Sequence, residues 1–473
     1  MCCVLRGARL WPAAEDAWGD AAFLRRELAG VPCSVLEPVT TASRRFSYWF
    51  SAATGHGADR VQAGYSAAPL VRTRTMPIDE FLREAARTPA AGVLDGHGPA
   101  CLYLQQSILQ ADPSGSGGML TAQGVGEMMR GHMARGIDGG ALQQLAQAGG
   151  FGAWQRCQLF VGGAATVGAK SILHFDQYDN LFLQLRGTKR FWIADPTSSG
   201  AVEPFPVHHP LDTRAQLDST SASAACASAR SCASARAAAA RGVVGREVVL
   251  RPGELLFLPS HWWHEVTTEG PLAPGELCVS VNFWFMPAAL SLSATPPDAP
   301  DAPDARLPRL PRWPPLPLSP PLRLELARQL EYLVSDWLDD RARHVPAFFG
   351  ALLDQLTQLP QLAAIVAATD AAADADAAVD AAAVNAAVAR LLADAERREA
   401  APAEACSDGG GGGGGGPWAP LHARRPADVA AGDWGRLAAY ALFKLTALLG
   451  AHAVLPFVRD LCNPARFHRL KFV

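Results

Sequence analysis

Two residues of metal-binding type, His174 and Asp176, lie two positions apart in the segment 171–196, whose sequence is SILHFDQYDNLFLQLRGTKRFWIADP. The near-alternating apolar residues around them predict a β-strand. Side chains at positions i and i+2 leave the same face of a strand, so we expect the imidazole and the carboxylate to point at one spot. This pair alone is a weak motif, because such a short pattern occurs often by chance.

A third candidate ligand, His264, follows a predicted strand that ends at Leu258. Two histidines and one carboxylate on one side of a metal leave adjacent coordination positions open, as in the facial triad of non-haem Fe(II) oxygenases. Two alternatives remain open at this point. In the first, His264 is a histidine packed in the core and binds no metal. In the second, His261 is the ligand instead of His264, although the neighbouring tryptophan pair favours a different direction for the His261 side chain.

Lys189 is a candidate anion-binding residue. The apolar run 181–185, the turn Arg186-Gly187-Thr188 and the apolar run 189–193 predict a β-hairpin, with Lys189 on its return strand. A lysine that points into a largely apolar barrel needs a partner, and a bound dicarboxylate would supply one. The alternative is a strand-end lysine that extends to solvent. Because lysine is rare in this chain, we favour the anion-binding role.

The elements around these residues are mostly short predicted strands. They lie at 44–50, 101–106, 155–162, 246–250, 254–258 and 278–285, with a turn at 251–253. Short helices are predicted at 20–28, from Pro77 onward, and at 141–148. Many short strands without long intervening helices predict a closed or sandwiched, mainly β core of jelly-roll type.

The second half of the chain changes composition several times. Residues 219–241 form a low-complexity Ser/Ala/Cys/Arg insertion, and 291–321 form a Pro-rich linker. Apolar residues at helical spacing predict helices at 322–339 and 345–359, within a helical region that spans 322–362. Residues 363–432 are rich in Ala and Gly, and a C-terminal helix is predicted in 433–473.

The net charge and the cysteine content argue against several classes of protein. The net charge of −3 gives no indication of nucleic-acid or anionic-membrane binding. The ten cysteines form no CxxC pairs, which argues against a zinc ribbon or a disulfide framework. No apolar run long enough for a membrane span or a signal peptide occurs. We therefore expect a soluble intracellular protein, cytoplasmic or nuclear, without membrane or nucleic-acid partners.

Five segments occur in an order that is specific to one family: CLYLQQ, HFDQYDNLFLQLRGTKRFWI, PFPVHHPLD, RPGELLFLPSHWWHEV and VSVNFWF. In these segments the chain resembles the JmjC/cupin family of Fe(II)- and 2-oxoglutarate-dependent oxygenases, and within it the protein asparaginyl hydroxylases. The resemblance implies a double-stranded β-helix over 101–290 with a C-terminal helical region. It also implies Fe(II), 2-oxoglutarate as co-substrate, O2, and hydroxylation of a protein or peptide substrate with release of succinate and CO2.

The resemblance also implies roles for individual residues. It assigns His174, Asp176 and His264 as metal ligands, Lys189, Tyr103 and Ser171 as partners of 2-oxoglutarate, and Asn180, Asn282 and Trp284 as neighbours of the co-substrate. At Ser171 the family has threonine, so the hydroxyl group is kept.

The chain departs from the family pattern in two places. Thr213 and Arg214 stand where the family has an Arg-Gln pair that holds the substrate peptide. Residues 1–100, expected as an α/β segment flanking the core, are short for the family, which suggests a truncated N-terminus. Two other functions therefore stay open: an oxygenase for another residue, methyl-lysine or RNA, and a non-catalytic binding protein with the same fold.

The helical region 322–362 leads to a prediction about assembly. Two short amphipathic helices cannot bury both of their apolar faces on each other, so apolar surface remains to be covered. In the family, helices at this place pair with those of a second subunit, which implies a homodimer with Leu330 and Leu333 in its interface. The alternative is that these helices pack within their own chain.

Overall fold

The computed structural model describes residues 2–6, 17–39, 45–47, 65–66, 69–87, 101–111, 119–121, 139–207, 209–217, 238–239, 241–287, 318–338, 342–358, 425–429, 431–467 and 470–472. The chain divides into two compact units. The β unit comprises residues 1–50, 68–202 and 213–294, and the helical unit comprises 51–67, 203–212 and 295–473. Each unit is described by itself below.

The described strands and helices are numbered along the chain. The strands are β1 (Cys3–Leu5), β2 (Pro32–Pro38), β3 (Arg45–Phe46), β4 (Tyr65–Ser66), β5 (Val71–Pro77), β6 (Tyr103–Ala111), β7 (Met119–Thr121), β8 (Phe151–Gly162), β9 (Lys170–His174), β10 (Asp179–Arg186), β11 (Thr188–Ala194), β12 (Gly245–Leu250), β13 (Leu255–Leu258), β14 (Trp263–Glu269), β15 (Cys278–Pro287) and β16 (Lys471–Phe472). The helices are α1 (Ala21–Glu27), α2 (Ile78–Ala85), α3 (Gly139–Ala148), α4 (Ser199–Val202), α5 (Pro320–Trp337), α6 (Val345–Gln358), α7 (Ala431–Leu449) and α8 (Ala451–Asp460).

Two sheets build the β unit. In the described residues the first sheet has the order β1-β13-β10-β15-β8-β6-β2-β5, with β7 on β6, and the second sheet has the order β12-β11-β14-β9-β3. All of these neighbours are antiparallel except β3, which runs parallel to β9. The prediction of a mainly β, jelly-roll fold with helices gathered toward the C-terminus is therefore confirmed.

Alternation along the strands gives the first sheet two different faces. On β8, Leu159 and Val161 belong to an outer core that also contains residues of α1 and α2, such as Phe23 and Phe81. Phe160, between them, belongs to an inner core shared by both sheets. The inner face is therefore the one that can enclose a site.

The predicted hairpin around Gly187 is wrong. β10 pairs with β13 and β15 in the first sheet, whereas β11 pairs with β12 and β14 in the second. Both strands carry aromatic residues toward the inner core, and the rings of Phe182 and Phe191 meet edge to face with centroids 5.0 Å apart. A single-sheet hairpin would set these rings side by side, so burial favours a turn that crosses between sheets.

Of the two outer strands of the first sheet, one is short and the other carries charged side chains. β1 contributes only three residues alongside β13. At the opposite edge β5 carries Arg72 and Arg74, which both bind the Glu37 carboxylate of β2, with the Arg72 Nε to Glu37 Oε2 distance at 2.6 Å. The guanidinium of Arg72 also lowers the pKa of Glu37.

The helical unit buries the apolar residues on which the homodimer prediction depended. Leu330 and Leu333 of α5 are 0% and 2% exposed within one chain. Helices α7 and α8, which the sequence had predicted only in part, add their own buried residues, and the Phe348 and Trp434 rings lie 5.3 Å apart. Later helices of the same chain pack with α5, which agrees with the alternative that these helices are covered within their own chain. The homodimer itself stays a prediction.

Buried ion pairs tie the segment 203–212 to α5 inside the helical unit. Arg328 binds both carboxylate oxygens of Asp212, with one nitrogen–oxygen distance at 2.9 Å. Glu331 accepts from the Val207 backbone N–H at 2.9 Å and from Arg466 at 2.5 Å. Removing one partner of such a pair leaves an uncompensated buried charge, so these contacts hold the PFPVHHPLD segment in one arrangement.

Several predicted segments lie largely outside the described residues: most of the 219–241 insertion, most of the 291–321 linker, and nearly all of 363–432. The N-terminal strands β1, β2 and β5 all belong to the first sheet. Among the described helices, none combines the length and the hydropathy needed to cross a membrane.

The turn between the two sheets leads to a stability prediction. Gly187 has a φ of +69°, and an added Cβ would lie 3.1 Å from atoms of Cys278. Gly275 has a similar φ of +82° but nothing within 4 Å of its would-be Cβ. We expect Gly275→Ala to lower the free energy of unfolding by about 1–2 kcal/mol. Gly187→Ala should lower it by at least about 1 kcal/mol more, because the new methyl group overpacks the crossing.

Equilibrium urea unfolding of both variants, followed by tryptophan fluorescence, measures this difference. Equal losses for the two alanines would contradict the tight crossing at Gly187.

Candidate functional site

Strands β9 and β14 bring the two predicted histidine ligands face to face. The strands are antiparallel neighbours in the second sheet, and His174 and His264 are directly opposed residues. Their ring centroids lie 4.1 Å apart. The pairing register shifts between His264 and Val266, which marks a bulge. The bulge therefore lies directly beside His264, at the end of this strand pair.

Asp176 lies two residues beyond the end of β9, and a residue outside this strand forms a hydrogen bond with its backbone. Its carbonyl oxygen accepts the backbone N–H of His261 at 2.7 Å. Its carboxylate Oδ2 lies 3.8 Å from Nε2 of His264. One ligand atom from each of His174, Asp176 and His264 lies within 4.8 Å of the other two. These three atoms surround a volume that suits a single ion.

Backbone carbonyls orient both imidazoles. Nδ1 of His174 lies 2.6 Å from the Ile172 carbonyl oxygen, and Nδ1 of His264 lies 2.9 Å from that of Trp262. A carbonyl oxygen only accepts, so each Nδ1 carries the hydrogen and each Nε2 keeps a lone pair for a metal. Hydrogen bonds of this kind fix the tautomer of metal-binding histidines.

The electrostatics of the histidines agree with this tautomer. Burial lowers the pKa of His174 well below its usual value, and the nearby His264 and Arg214 lower it further. Burial also lowers the pKa of His264, against the opposing effect of Asp176. Both imidazoles are therefore neutral near pH 7, which is the form that binds a metal. Two neutral nitrogens and one carboxylate oxygen are the donor set of a 2-His-1-carboxylate iron site.

His261, the rival ligand, has a different role. Its backbone φ is +63°, and its ring stacks on Phe175 with centroids 5.3 Å apart. Among the described residues, the metal-type cluster contains His174, Asp176 and His264 and not His261. The backbone N–H of His261 instead donates to the carbonyl of Asp176, so this residue supports the position of a candidate ligand.

Lys189 provides a buried positive charge in the same cavity. The side chain is 2% exposed, and its Nζ donates to the Tyr103 hydroxyl at 2.6 Å. Nζ also lies 5.1–5.4 Å from the ring centroids of Tyr103, Phe160 and Phe182. Burial lowers the pKa of Lys189 to about 8. No carboxylate of the described residues forms an ion pair with it, so a bound anion would repay the cost of its burial.

All nine residues assigned from the sequence line one cavity of about 70 Å³. They are Tyr103, Ser171, His174, Asp176, Asn180, Lys189, His264, Asn282 and Trp284. The described cavity lining also includes Phe46, Ser47, Gln105, Phe160, Ile172, Phe182, Phe191, Arg214 and Val266. The metal-type cluster and the buried lysine therefore share one space.

Four polar atoms in this lining are buried without a hydrogen-bond partner among the described residues: Gln105 Oε1, Asn180 Oδ1, Asn282 Oδ1 and Trp284 Nε1. Asn180, Asn282 and Trp284 lie on the neighbouring strands β10 and β15, where Asn180 opposes Trp284 and Asn282 opposes Phe182. Gln105 lies on β6 of the same sheet, separated from β15 by β8. Buried polar groups are usually satisfied, so four such atoms around one cavity indicate a polar ligand.

Sequence reasoning missed three of the polar lining residues, Ser47, Gln105 and Arg214. Gln105 lies two positions after Tyr103 on β6, so strand alternation would have placed it on the same face. In the sequence, Arg214 stands out only as a departure from a family pattern. The structure places its side chain, 4% exposed, in the cavity beside the histidines. No periodic signal marks it, because it follows a turn rather than lying in a regular strand.

The sequence model of a family described as "Cupin-like domain" matches residues 3–290. Jumonji C domain-containing protein 5 of Drosophila melanogaster is 29% identical over 126 residues, which are 27% of this chain and 26% of that protein. HSPB1-associated protein 1 of Homo sapiens is 30% identical over 131 residues, which are 28% of this chain and 23% of that protein.

A plant protein belongs to the same set of relatives. Lysine-specific demethylase JMJ31 of Arabidopsis thaliana is 25% identical over 117 residues, 25% of this chain and 19% of that protein. The alignments with these three proteins therefore cover about a quarter or less of each relative's own length.

The ligand geometry predicts the effect of removing the carboxylate. Asp176→Ala should weaken Fe(II) or Mn(II) binding by more than about 100-fold, because losing a direct ligand costs more than losing a residue that only supports one. Anaerobic isothermal titration calorimetry measures this affinity, and circular dichroism reports the fold. Asp195→Ala is the matched control, since Asp195 caps a short helical turn outside the described cavity lining.

Unchanged metal affinity in Asp176→Ala would remove this carboxylate from the ligand set. An equal loss in Asp195→Ala would attribute the effect to general destabilisation.

Proposed function

The chain belongs to the cupin-like/JmjC domain family, and from this premise we propose that it is an Fe(II)- and 2-oxoglutarate-dependent dioxygenase that hydroxylates a protein side chain. The observation that carries the proposal is the shared cavity. A cluster of two histidines and one aspartate and a buried lysine without an acidic partner among the described residues face the same space. A metal with open positions and a dicarboxylate satisfy both groups at once.

The three metal-type residues would hold the iron. Fe(II), when bound, supplies the activation of O2, which is coupled to conversion of 2-oxoglutarate into succinate and CO2. The chain's own share is to fix the ligands and to exclude water. The carbonyl oxygens of Ile172 and Trp262 hold the imidazoles in their metal-binding tautomer, and the His261 backbone N–H holds the Asp176 segment.

The opposite part of the cavity would bind the co-substrate. The Lys189 ammonium and the Tyr103 hydroxyl are already in contact, and together they offer donors to a carboxylate. Ser171 lies in the same lining and adds a hydroxyl group. The aromatic rings around Lys189 exclude water, which strengthens a charge-assisted bond there.

The four unpartnered polar atoms fit a polar ligand that reaches beyond the lysine. The side-chain amide oxygens of Asn180 and Asn282 offer acceptors, and the Trp284 indole N–H offers a donor. They would bind the more polar end of the co-substrate or the substrate that approaches it. An apolar ligand would leave these atoms unsatisfied, at a cost in affinity for each.

The order of the motifs resembles that of factor inhibiting hypoxia-inducible factor, and on this resemblance we propose an asparaginyl-hydroxylase-like activity. Thr213 and Arg214 replace its Arg-Gln pair, so we propose a different substrate peptide. One curated relative is named a lysine-specific demethylase, which keeps methyl-lysine as a second candidate. Others are named HSPB1-associated protein 1, a name that points to a protein partner for those relatives.

The homodimer remains part of this proposal, although burial of Leu330 and Leu333 removes its original argument. Sedimentation velocity at micromolar concentration tests it directly, and a monomer under these conditions would end it.

Turnover provides the general test. We expect purified protein to form succinate from 2-oxoglutarate only when Fe(II) and O2 are present, and candidate peptides to gain the mass of one oxygen atom. Asp176→Ala should abolish both signals, since a ligand is lost. The protein could instead bind iron and 2-oxoglutarate but form no succinate from 2-oxoglutarate with any protein, peptide or RNA candidate present. This result would favour the non-catalytic binding protein.

Lys189 gives a sharper prediction about the co-substrate. Lys189→Met keeps most of the side-chain volume but removes the charge, and should weaken 2-oxoglutarate binding by roughly 10- to 100-fold, as expected for a charge-assisted hydrogen bond. Calorimetric titration of the Mn(II)-loaded protein measures this affinity. Lys444→Met, in the helical unit, is the matched control and should bind 2-oxoglutarate as the wild type does.

The pH dependence of binding provides an independent check. The pKa of Lys189 is lowered to about 8, and only the charged form binds a carboxylate strongly. Affinity should therefore be fully present below pH 8 and should fall as the pH rises above it, by at most about tenfold per pH unit. Lys189→Met should lose this dependence. The same slope in the variant would show that another group titrates.

A further inference from the structure

Arg156 is a cation beside the cavity to which the proposed reaction gives no role. Resting on the proposed function, we propose that Arg156 binds an acidic side chain of the peptide substrate near the oxidised residue. The chain thereby selects substrate segments that carry aspartate or glutamate.

A lining residue of the cavity supports the Arg156 side chain. The guanidinium Cζ lies over the Trp284 indole, 4.2 Å from the ring centroid, which is a close cation–π contact. The two residues are directly opposed on the antiparallel strands β8 and β15. Opposed residues point to the same face of a sheet, so Arg156 shares the face on which Trp284 lines the cavity.

The Trp284 ring that supports Arg156 is itself held in place. Trp284 is 5% exposed, and the Tyr178 ring lies nearly parallel to its indole, with centroids 6.2 Å apart and planes at 28°. Tyr178 follows the candidate ligand Asp176 by two residues. The arginine and the segment that carries a metal-type ligand therefore contact the same ring. A group held in this way loses less freedom when it binds a ligand.

The guanidinium of Arg156 keeps hydrogen-bonding capacity for a ligand. A guanidinium has five N–H donors, which is more than contact with one ring can use. Among the described residues, Arg156 contacts Trp284 but forms no ion pair with an acidic side chain. Its side chain is partly exposed, so an anion can reach it from solvent.

Strand register relates Arg156 to the metal-type cluster. Asn180, Trp284 and Arg156 are successive partners on β10, β15 and β8, and Asn180 lines the cavity together with the cluster. Adjacent strands lie about 4.8 Å apart, so the backbones of Asn180 and Arg156 are separated by about 10 Å. An extended peptide advances about 3.4 Å per residue, so Arg156 suits a residue within about three positions of the oxidised one.

The charge of Arg156 determines which side chain binds there. A planar guanidinium pairs with a carboxylate through two parallel hydrogen bonds. A lysyl or arginyl side chain at the same substrate position meets a like charge. One carboxylate balances the single guanidinium, whereas a phosphate dianion leaves excess negative charge. Aspartate and glutamate are therefore the side chains that fit.

The test needs no known substrate. Wild-type protein loaded with Mn(II) and 2-oxoglutarate in the absence of O2 is mixed with a randomised hexapeptide library. Acetylated and amidated ends leave the side chains as the source of carboxylates, and retained peptides are identified by mass spectrometry. We expect peptides with Asp or Glu to be enriched about three- to tenfold over their Asn or Gln counterparts, as for a partly exposed charge pair.

Substitutions of Arg156 separate charge from folding. Arg156→Gln should abolish the acidic preference, Arg156→Lys should keep part of it, and Arg156→Glu should replace it with a preference for Lys or Arg. Thermal melting followed by circular dichroism checks that each variant is folded. The control Arg246→Gln changes an exposed arginine of β12 outside the described cavity lining and should select as the wild type does. Raised salt should weaken the preference, because the charge pair is partly exposed.

The outcomes distinguish this inference from the function on which it rests. If the wild type binds Mn(II) and 2-oxoglutarate in calorimetry but retains no peptides or shows no acidic preference, the inference about Arg156 is wrong and the proposed co-substrate stands. An acidic preference that persists in Arg156→Glu would also overturn it. If neither Mn(II) nor 2-oxoglutarate binds, the proposed function itself fails.

Discussion

The site depends on one pairing, that of β9 with β14. It sets His174 opposite His264, and His174 also forms an isolated bridge with Arg214 on its other side. A slip of this pairing by one residue would turn one imidazole to the other face of the sheet, because side chains alternate along a strand. Hydrogen bonds from both imidazole rings to nearby backbone carbonyls then fix the direction in which each ring points.

The burial of charge is the second constraint on the structure. The β unit holds Lys189 in a cavity with one acidic residue among its described lining, whereas the helical unit pairs its buried arginines with Asp212 and Glu331. The contrast separates two uses of buried charge. Paired charges fix a local arrangement, and charges that face a cavity keep their field available to a ligand.

Much of the site could be predicted from the sequence, because rare residue types at fixed spacing survive in a biased composition. All nine assigned residues line the cavity, and most strands were predicted within a few residues. The partners of the strands were less predictable. The turn at Gly187 has hairpin composition, but inter-sheet burial of Phe182 against Phe191 overrides it. The helices that pack on α5 lie about a hundred residues later in the chain, so no local pattern around α5 predicts them. The position of Arg214 depends on a strained turn, which also leaves no local pattern in the sequence.

The outer strands of the first sheet have a consequence for how the protein behaves at high concentration. An exposed strand edge offers unpaired N–H and C=O groups on which another chain can build, and this is a common route to β-aggregation. In the described part of this sheet one edge is a three-residue strand, and the other carries two arginines paired with Glu37 and ends at a proline. Neither edge is a long, flat apolar template. Crowded copies of this protein are thereby discouraged from growing into a continuous intermolecular sheet.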